Sequence, residues 1–465
     1  MDSHNFHPDI IREYDIRGTV DQNLTEVDAY YLGRAFGTKI VRDGGSTVCV
    51  GYDGRHSSPL FEKELVKGLV ETGISVELVG LGPTPLLYFA VKDHMADGGI
   101  MVTGSHNPSD MNGFKMTLLN SPVFGTAIKD LAELAAAGDF ESGEGSVREI
   151  DIIDTYLGRL LRDININKEL KVAWDAGNGA AGAVLHKLVS KLPGEHILLY
   201  ADVDGDFPNH HPDPTVDANV EDLKKAVIDQ GCDLGIAFDG DGDRIGIIDN
   251  KGRIIRCDML LAVYAKEVLK ENPNSPIIAD VKCSNALFRA IKEMGGQPIM
   301  WKTGHSLIKS KMAEANAPLA GELSGHIFFA DKYYGFDDAL YCSVRLLNQL
   351  CDTEGEEAVK LSDLMEDMPR PINTPEIRLD IDESEKFKIV AKVQNHLKES
   401  LPDSSMLDET DGARVTLDQG WWLLRASNTQ PCIVARAEAN SKEELEAVKT
   451  NLQNTLSACG VLVDL

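Results

Sequence analysis

The sequence predicts an α/β protein: three similar α/β domains followed by a smaller α+β domain. A strand, helix, strand pattern occurs three times, each time with an acidic turn where the first strand ends, and each occurrence implies a parallel crossover. After the proline-rich stretch at 369–375 the pattern changes to short strands interleaved with two amphipathic helices. A chain of 465 residues with 43% hydrophobic content is long enough for several cores, at roughly 100 to 150 residues per domain.

Taken in order, Tyr14-Asp15-Ile16-Arg17-Gly18 precedes a helix capped by Thr25, with Asp28 placed for a capping box and Tyr31, Ala35 and Ile40 among its apolar positions. The first unit has a strand at 47–50, the turn Gly51-Tyr52-Asp53-Gly54-Arg55, a helix at 59–71 and a strand at 76–79. The second has a strand at 171–174 ending at Asp175-Ala176-Gly177, a helix at 183–189 and a strand at 197–200. The third runs from a strand at 276–279, ending at Asp280-Val281-Lys282, through a helix to a strand at 298–301. The resemblance among units is coarse, and it argues for three related domains. Boundaries follow from composition: 138–145 is rich in Gly, Glu and Ser, 245–255 reads as a hairpin around Asn250-Lys251-Gly252, and Pro369-Arg370-Pro371 with Pro375 reads as a linker. The expected domains are 1–145, 146–255, 256–370 and 371–465. In the last, 377–381 alternates, 387–397 is helical, and 421–424 and 433–437 are strands. Ser441 with Glu444 marks a capping box for a helix burying Leu445, Val448, Leu452 and Leu456.

A formal net charge of -28 argues against nucleic acid or an anionic membrane as partner, so an anionic ligand must be held by local Arg and Lys. The eight cysteines show no CxxC or framework spacing, which fits buried free thiols in a reducing compartment. The N-terminus lacks a basic, then apolar, leader, and no apolar run reaches membrane length, so a cytoplasmic protein is expected.

Four stretches carry candidate chemistry. In Thr103-Gly104-Ser105-His106-Asn107-Pro108, Ser105 lies on a loop just past the strand at 99–102, the position from which a rigid base presents a reactive side chain. A serine needs a neighbouring base and fixed charge to carry a phosphoryl group, and His106 and Lys115 are close in sequence. In Phe238-Asp239-Gly240-Asp241-Gly242-Asp243-Arg244, three carboxylates alternate with glycines, so the backbone can curl to face all three at one hard divalent cation. An EF-hand would need Gly at Arg244 and Glu at Asn250. In Gly321-Glu322-Leu323-Ser324-Gly325-His326, Glu322 and Ser324 fall on one side of an extended segment, suited to sugar hydroxyls, and His326 is an acid or base candidate. In Arg425-Ala426-Ser427-Asn428-Thr429-Gln430-Pro431, a guanidinium, hydroxyls, an amide and backbone N–H groups match a phosphate cradle. A structural turn competes with each reading.

Two further motifs point elsewhere. Gly177-Asn178-Gly179-Ala180-Ala181-Gly182 matches GxGxxG, with Asp202 near the place of a ribose-binding acid, but a tight strand-to-helix turn needs such glycines anyway. Asp202-Val203-Asp204-Gly205-Asp206 is similar to the aspartyl nucleophile motif of haloacid-dehalogenase-type phosphotransferases, except that Asp206 stands where those have Thr or Val. His210 and His211 are adjacent and point apart on an extended stretch, which favours loop packing over metal binding.

Together, TGSHNP at 103–108, FDGDGDR at 238–244, GELSGH at 321–326 and RASNTQP at 425–431 resemble, in order and spacing, the loops of the α-D-phosphohexomutases, and the likeness covers essentially the whole chain. That resemblance implies three similar domains and a smaller C-terminal one around a central cleft. It implies a phosphoserine at Ser105, and Mg²⁺ bound by Asp239, Asp241 and Asp243 with the phosphoserine oxygen. Arg17, His106, Lys115 and Arg244 would surround the reacting phosphoryl group, with Lys282 and His305 lining the cleft. Glu322 and Ser324 would hold sugar hydroxyls, and Arg425, Ser427, Asn428 and Thr429 the phosphate that is not transferred, with Lys115 and His326 as acid and base candidates. The implied reaction interconverts hexose 1-phosphate and hexose 6-phosphate through a hexose 1,6-bisphosphate, which also serves as activator. The similar phosphoglucosamine mutases carry Gln for Leu323 and Gly for Asn428, so both positions favour mannose and glucose phosphates; the departure from the pattern is Leu323 where Met is commoner. The alternatives are a phosphoglucosamine mutase or a non-catalytic sugar-phosphate-binding protein on the same scaffold.

Overall fold

The structure, a computed structural model, describes residues 3–463 apart from 353, 354, 356, 367, 403 and 429. Its first three sheets share one four-strand core. In the first, Thr47–Tyr52 lies between Ser75–Leu81 and Gly98–Val102, both parallel to it, and Met111–Leu118 returns antiparallel beside Gly98–Val102. Leu170–Asp175, Gly194–Leu199, Leu234–Phe238 and Ile245–Asp249 repeat this order and sense in the second. Pro276–Asp280, Gln297–Trp301, Leu319–Gly321 and Ile327–Phe329 repeat it in the third. Parallel neighbours require crossovers, supplied between first and second strands by the helices Ser58–Val70, Gly182–Val189 and Asn285–Glu293.

This topology decides where function can sit. The step from third to fourth strand is a hairpin at the C-terminal edge of the parallel strands, where open α/β sheets bind ligands. The motifs at 103–108, 239–244 and 322–326 occupy that hairpin in units one, two and three.

Buried apolar strands such as Gly98–Val102 and Leu234–Phe238 need cover on both faces. One core supplies much of it, running from Leu86 and Phe89 in the first domain through Trp174 and Phe238 in the second to Leu261, Phe329 and Leu347 in the third. The last domain has its own core around Val393, Trp422, Leu424, Val448 and Leu452. Its sheet is antiparallel, with Cys432–Ala439 flanked by Gly420–Ala426 on one side and by Ile372–Asn373 and Ile377–Asp380 on the other.

Two expectations change. The strand Ser146–Glu149, placed by composition in the second domain, pairs in parallel with Ser75–Leu81 as an edge of the first sheet. The glycine-rich stretch before it is therefore packed rather than free: Gly143 and Gly145 donate to Glu71 and Val70 carbonyls, and a Cβ on Gly145 would lie 2.0 Å from the Ile74 oxygen. Thr25 and Asp28 form the full capping box, whereas Ser441 only accepts the Glu444 N–H, and Glu444 Oε2 is buried without a hydrogen-bond partner among the described residues.

Candidate active site

The chain reaches Ser105 from the buried strand Gly98–Val102 and turns at once. Ser105 is 1% exposed and takes φ +50°, a left-handed conformation rare for a residue with a Cβ. Its N–H donates to Thr103 Oγ1 at 2.8 Å, and its Oγ donates to Asp239 Oδ2 at 3.0 Å and lies 3.1 Å from His106 Nδ1. Burial, then the Arg244, Arg17 and Lys115 charges, lower the His106 pKa well below its ordinary value, so the ring stays neutral.

The curl expected of the triple-Asp loop is present: one oxygen each from Asp239, Asp241 and Asp243 lie within 4.8 Å of one another, all fully buried. The other oxygens are spent. Asp239 Oδ1 accepts the Asp243 and Arg244 N–H groups at 3.2 Å. Lys115 Nζ donates to Asp241 Oδ2 at 2.6 Å and Asp243 Oδ2 at 2.5 Å, and Thr84 Oγ1 also donates to Asp241 Oδ2. Asp241 Oδ1 is buried without a hydrogen-bond partner among the described residues, and Asp243 Oδ1 faces His326 Nε2 at 3.3 Å without a well-formed hydrogen bond. Three buried carboxylates so close, one with an orphaned oxygen, are costly unless a cation completes them, so this donor set fits a hard divalent ion. Burial, then repulsion from Asp241 and Asp243, pushes Asp239 well above the usual carboxylate range. Against burial, Asp241 and Asp243 hold Lys115 well above its ordinary value, as an ammonium.

Residues 322–326 form a tight turn, not the extended segment expected, because Gly325 takes φ +100° and its N–H donates to the Glu322 carbonyl. Glu322 Oε1 accepts the Gly304 N–H at 2.5 Å, and Oε2 lies 2.8 Å from His326 Nδ1. Ser324 Oγ is 3.2 Å from the same nitrogen. His326 Nε2 lies 3.3 Å from Asp243 Oδ1 and 3.2 Å from Arg244 Nε. A protonated ring satisfies the carboxylate and a neutral ring accepts from the guanidinium, so this nitrogen can hold or release a proton. Burial opposes the charged ring, but Asp243 and Glu322 together offset it and raise the pKa to about 9.

The remaining predicted residues come from the first, third and fourth domains. Arg17, opposite Gly113 in the first sheet, donates to Asp15 Oδ2 at 2.5 Å, while its Nε is buried without a partner among the described residues. The rings of His305 and His326 are 5.4 Å apart. Lys282 Nζ lies 3.3 Å from Glu376 Oε2. In the C-terminal domain Arg425 Nε donates to Asp411 Oδ2 at 2.8 Å, and Asn428 Nδ2 donates to Tyr14 Oη of the first domain at 2.6 Å. Ser427 Oγ accepts the Gln430 N–H, and its carbonyl accepts from the buried Lys386. Thr429 lies outside the described residues.

The four parts of the chain match four consecutive models of one family: Phosphoglucomutase/phosphomannomutase alpha/beta/alpha domain I at 8–141, domain II at 154–252, domain III at 256–372 and the C-terminal domain at 376–454. A phosphomannomutase/phosphoglucomutase of Pseudomonas aeruginosa is 45% identical over 97% of this chain and 96% of its own. The chain belongs to the phosphoglucomutase/phosphomannomutase family. A phosphoglucomutase of Neisseria gonorrhoeae is 39% identical over 97% of each chain. A solved family structure from Burkholderia thailandensis superposes with a TM-score of 0.91 at 40% identity, covering 98% of each chain.

Against this family framework, several site residues carried no sequence signal. Tyr14 bridges domains by donating to the Thr303 carbonyl at 2.8 Å while accepting from Asn428. Asp337, fully buried, lies 3.3 Å from His305 Nδ1 and accepts from Lys309 at 2.9 Å. Burial, then the Lys309 charge, lowers the His305 pKa. The i, i+4 spacing of His305 and Lys309 is the one cue that could have paired them. The GxGxxG turn proves to be scaffolding: Ala180 donates to the Gly240 carbonyl at 2.9 Å, and a Cβ on Gly179 would lie 2.8 Å from that oxygen. Asp202 is exposed, and His210 packs on Asp175 at 3.0 Å.

Proposed function

We propose that this enzyme interconverts hexose 1-phosphate and hexose 6-phosphate, of mannose and of glucose, by carrying a phosphoryl group on Ser105. The observation that supports it best is the strained, buried Ser105, its Oγ set against Asp239 with the Asp241 and Asp243 carboxylates clustered alongside. Mg²⁺ held by Asp239, Asp241 and Asp243 with Ser105 would offset phosphoserine charge of about -1.5 to -2.

Phosphoserine gives up its P–O bond as the free sugar hydroxyl forms one; the hydroxyl proton passes to His326 Nε2 of the neutral ring, the form that otherwise accepts from Arg244, and the freed Ser105 oxygen recovers its hydroxyl proton. Lys115, fixed by two carboxylates, supplies charge rather than a proton. Arg17, His106 and Arg244 surround the group in flight. The resulting bisphosphate turns end over end, and its other phosphoryl group returns to Ser105. Arg425, Ser427, Asn428 and Thr429 hold whichever phosphate is idle, while Lys282, His305, Glu322 and Ser324 orient the sugar. Catalysis is positioning plus charge stabilisation. Leu323 and Asn428 favour mannose and glucose over glucosamine phosphates. Eight buried free thiols support a reducing, cytoplasmic setting, and the net charge of -28 speaks against nucleic acid and anionic membrane as partners. Among the described residues no helix is long and apolar enough to cross a membrane.

Intact mass and peptide mapping before and after hexose 1,6-bisphosphate test the reading. Phosphate is expected on Ser105; phosphate confined to another residue, Asp202 above all, overturns it.

A further inference from the structure

We propose that Arg55, capped by the 202–207 loop of the second domain, is the positioning residue for the phosphoserine loop. The inference rests on Ser105 as the phosphoryl carrier. A left-handed serine is not held by its own preference; the surroundings must over-determine it. Arg55 provides this from behind. It is 1% exposed, and each guanidinium nitrogen is spent on the loop or its anchor. Nε donates to Asp53 Oδ2 at 3.1 Å. Nη2 donates to the Ser105 carbonyl at 2.8 Å and the Asn107 carbonyl at 2.6 Å. Nη1 donates to the Met111 carbonyl at 2.9 Å and to that of Pro108. One planar cation thus gathers four carbonyls from residues 105–111, a geometry that a lysine cannot reproduce. Asp53 completes the clamp by accepting Thr103 Oγ1 at 2.9 Å and the Gly104 N–H at 3.1 Å. The loop can approach only because residue 104 is glycine: a Cβ there would lie 2.4 Å from Arg55 Nε.

The other side of Arg55 is closed by the second domain. The Phe207 ring centroid lies 5.2 Å from the guanidinium carbon, a stacking contact for a desolvated cation. Backbone meets backbone at Gly205, where a Cβ would lie 2.8 Å from the Gly54 oxygen and 2.9 Å from the His56 nitrogen. The Asp202-to-Asp206 motif, which looks like a nucleophile in sequence, therefore serves as the lid on Arg55. The domain that presents Asp239 to the front of Ser105 also braces its loop from behind, so packing of the second domain on the first sets the serine in line with its cation site.

Arg55→Lys, Arg55→Met and Phe207→Leu in the full chain test this. Each is followed by circular dichroism, kcat and KM with glucose 1-phosphate, and the rate at which glucose 1,6-bisphosphate phosphorylates Ser105. Because Arg55 does not face the sugar, Arg55→Lys is expected to lower kcat and the phosphorylation rate by about tenfold to a hundredfold, with KM nearly unchanged and secondary structure intact. Arg55→Met should do at least as much, and Phe207→Leu should move both rates the same way by a smaller factor. Wild-type rates in a folded Arg55→Lys, or a rise in KM at unchanged kcat, overturn the proposal. If both Arg55 variants fail to fold, Phe207→Leu decides alone: unchanged rates refute the clamp. Wild-type protein that takes no phosphate on Ser105 refutes the carrier reading instead.

Discussion

Each α/β unit carries a turn after its first strand and a hairpin after its third at the C-terminal edge of its parallel strands, and in the second and third units both place buried acids there, yet the two sets behave differently. The turns after the first strands hold Asp53, Asp175 and Asp280, whose oxygens are committed to the protein itself. Asp53 accepts from Arg55, Ser58, Thr103 and Gly104. Asp175 accepts the Gly177 N–H and pairs with His210. Asp280 accepts from Cys283, Thr303 and the Leu323 N–H. In the second unit's hairpin, by contrast, Asp241 keeps an oxygen without a hydrogen-bond partner among the described residues, and Asp243 Oδ1 meets only the titratable His326 ring, at 3.3 Å. Burial and charge do not mark the functional acid; unspent hydrogen-bonding capacity does.

The sharpest way to break this contrast is to neutralise one acid from each loop of the same unit. Asp241→Asn is expected to cut kcat/KM at least about a hundredfold and to weaken Mg²⁺ binding by calorimetry, with the fold retained. Asp175→Asn should leave turnover within a few-fold while costing about 1–3 kcal/mol of stability, the loss of a buried hydrogen-bonded charge. Turnover abolished in Asp175→Asn at unchanged stability would mean that the first-strand turns are catalytic as well.

Smaller, and confined to the fourth domain, is the effect expected at Arg425. Its Nε donates to Asp411, and on the proposed mechanism its two Nη groups are the planar fork that meets phosphate. Arg425→Ala should raise KM for glucose 1-phosphate and mannose 1-phosphate about tenfold to a hundredfold, and Arg425→Lys less, as expected for a lost charge-assisted contact. On the proposed mechanism the bisphosphate rebinds through this loop after turning, so it should also escape into solution. Wild-type KM without released bisphosphate in Arg425→Ala would remove this loop from phosphate binding.

The sequence was most legible where local chemistry dictates geometry. Alternating Asp and Gly at 239–243 can hardly do anything but curl, and the three crossovers follow from strand, helix, strand patterning. What stayed hidden depends on register between distant segments. That Lys115 reaches Asp241 and Asp243, or that Tyr14 meets Asn428 from the far end of the chain, is set by how sheets pack and leaves no local trace. Glycines are ambiguous for the same reason. At 143–145 they read as a linker but permit close packing on the Ile74 backbone, and at 177–182, read as a tight strand-to-helix turn despite the GxGxxG pattern, they permit close packing on the triple-Asp loop. Composition reports freedom of the backbone without saying what uses it.

The smallest effect concerns the first-strand turn of the third unit. Beside the anchor Asp280 stands Lys282, whose Nζ lies 3.3 Å from Glu376 Oε2 of the C-terminal domain. Lys282 lowers the Glu376 pKa from 4.5 to about 2, with burial opposing and Arg378 assisting. A carboxylate depressed on folding contributes stability that is present above its unfolded value and lost as pH falls through its folded one. Glu376→Gln should therefore be less stable than wild type at pH 7, by under about 1 kcal/mol because the carboxylate is partly exposed. The gap should narrow as pH drops below about 4.5, most of it going before pH 2. Urea unfolding followed by fluorescence of Trp421 and Trp422, which lie in that domain, reads the difference directly. A gap that is constant from pH 7 to pH 3, or that widens on acidification, would show that Lys282 is not paired with Glu376 and that the third unit's turn is anchored by Asp280 alone.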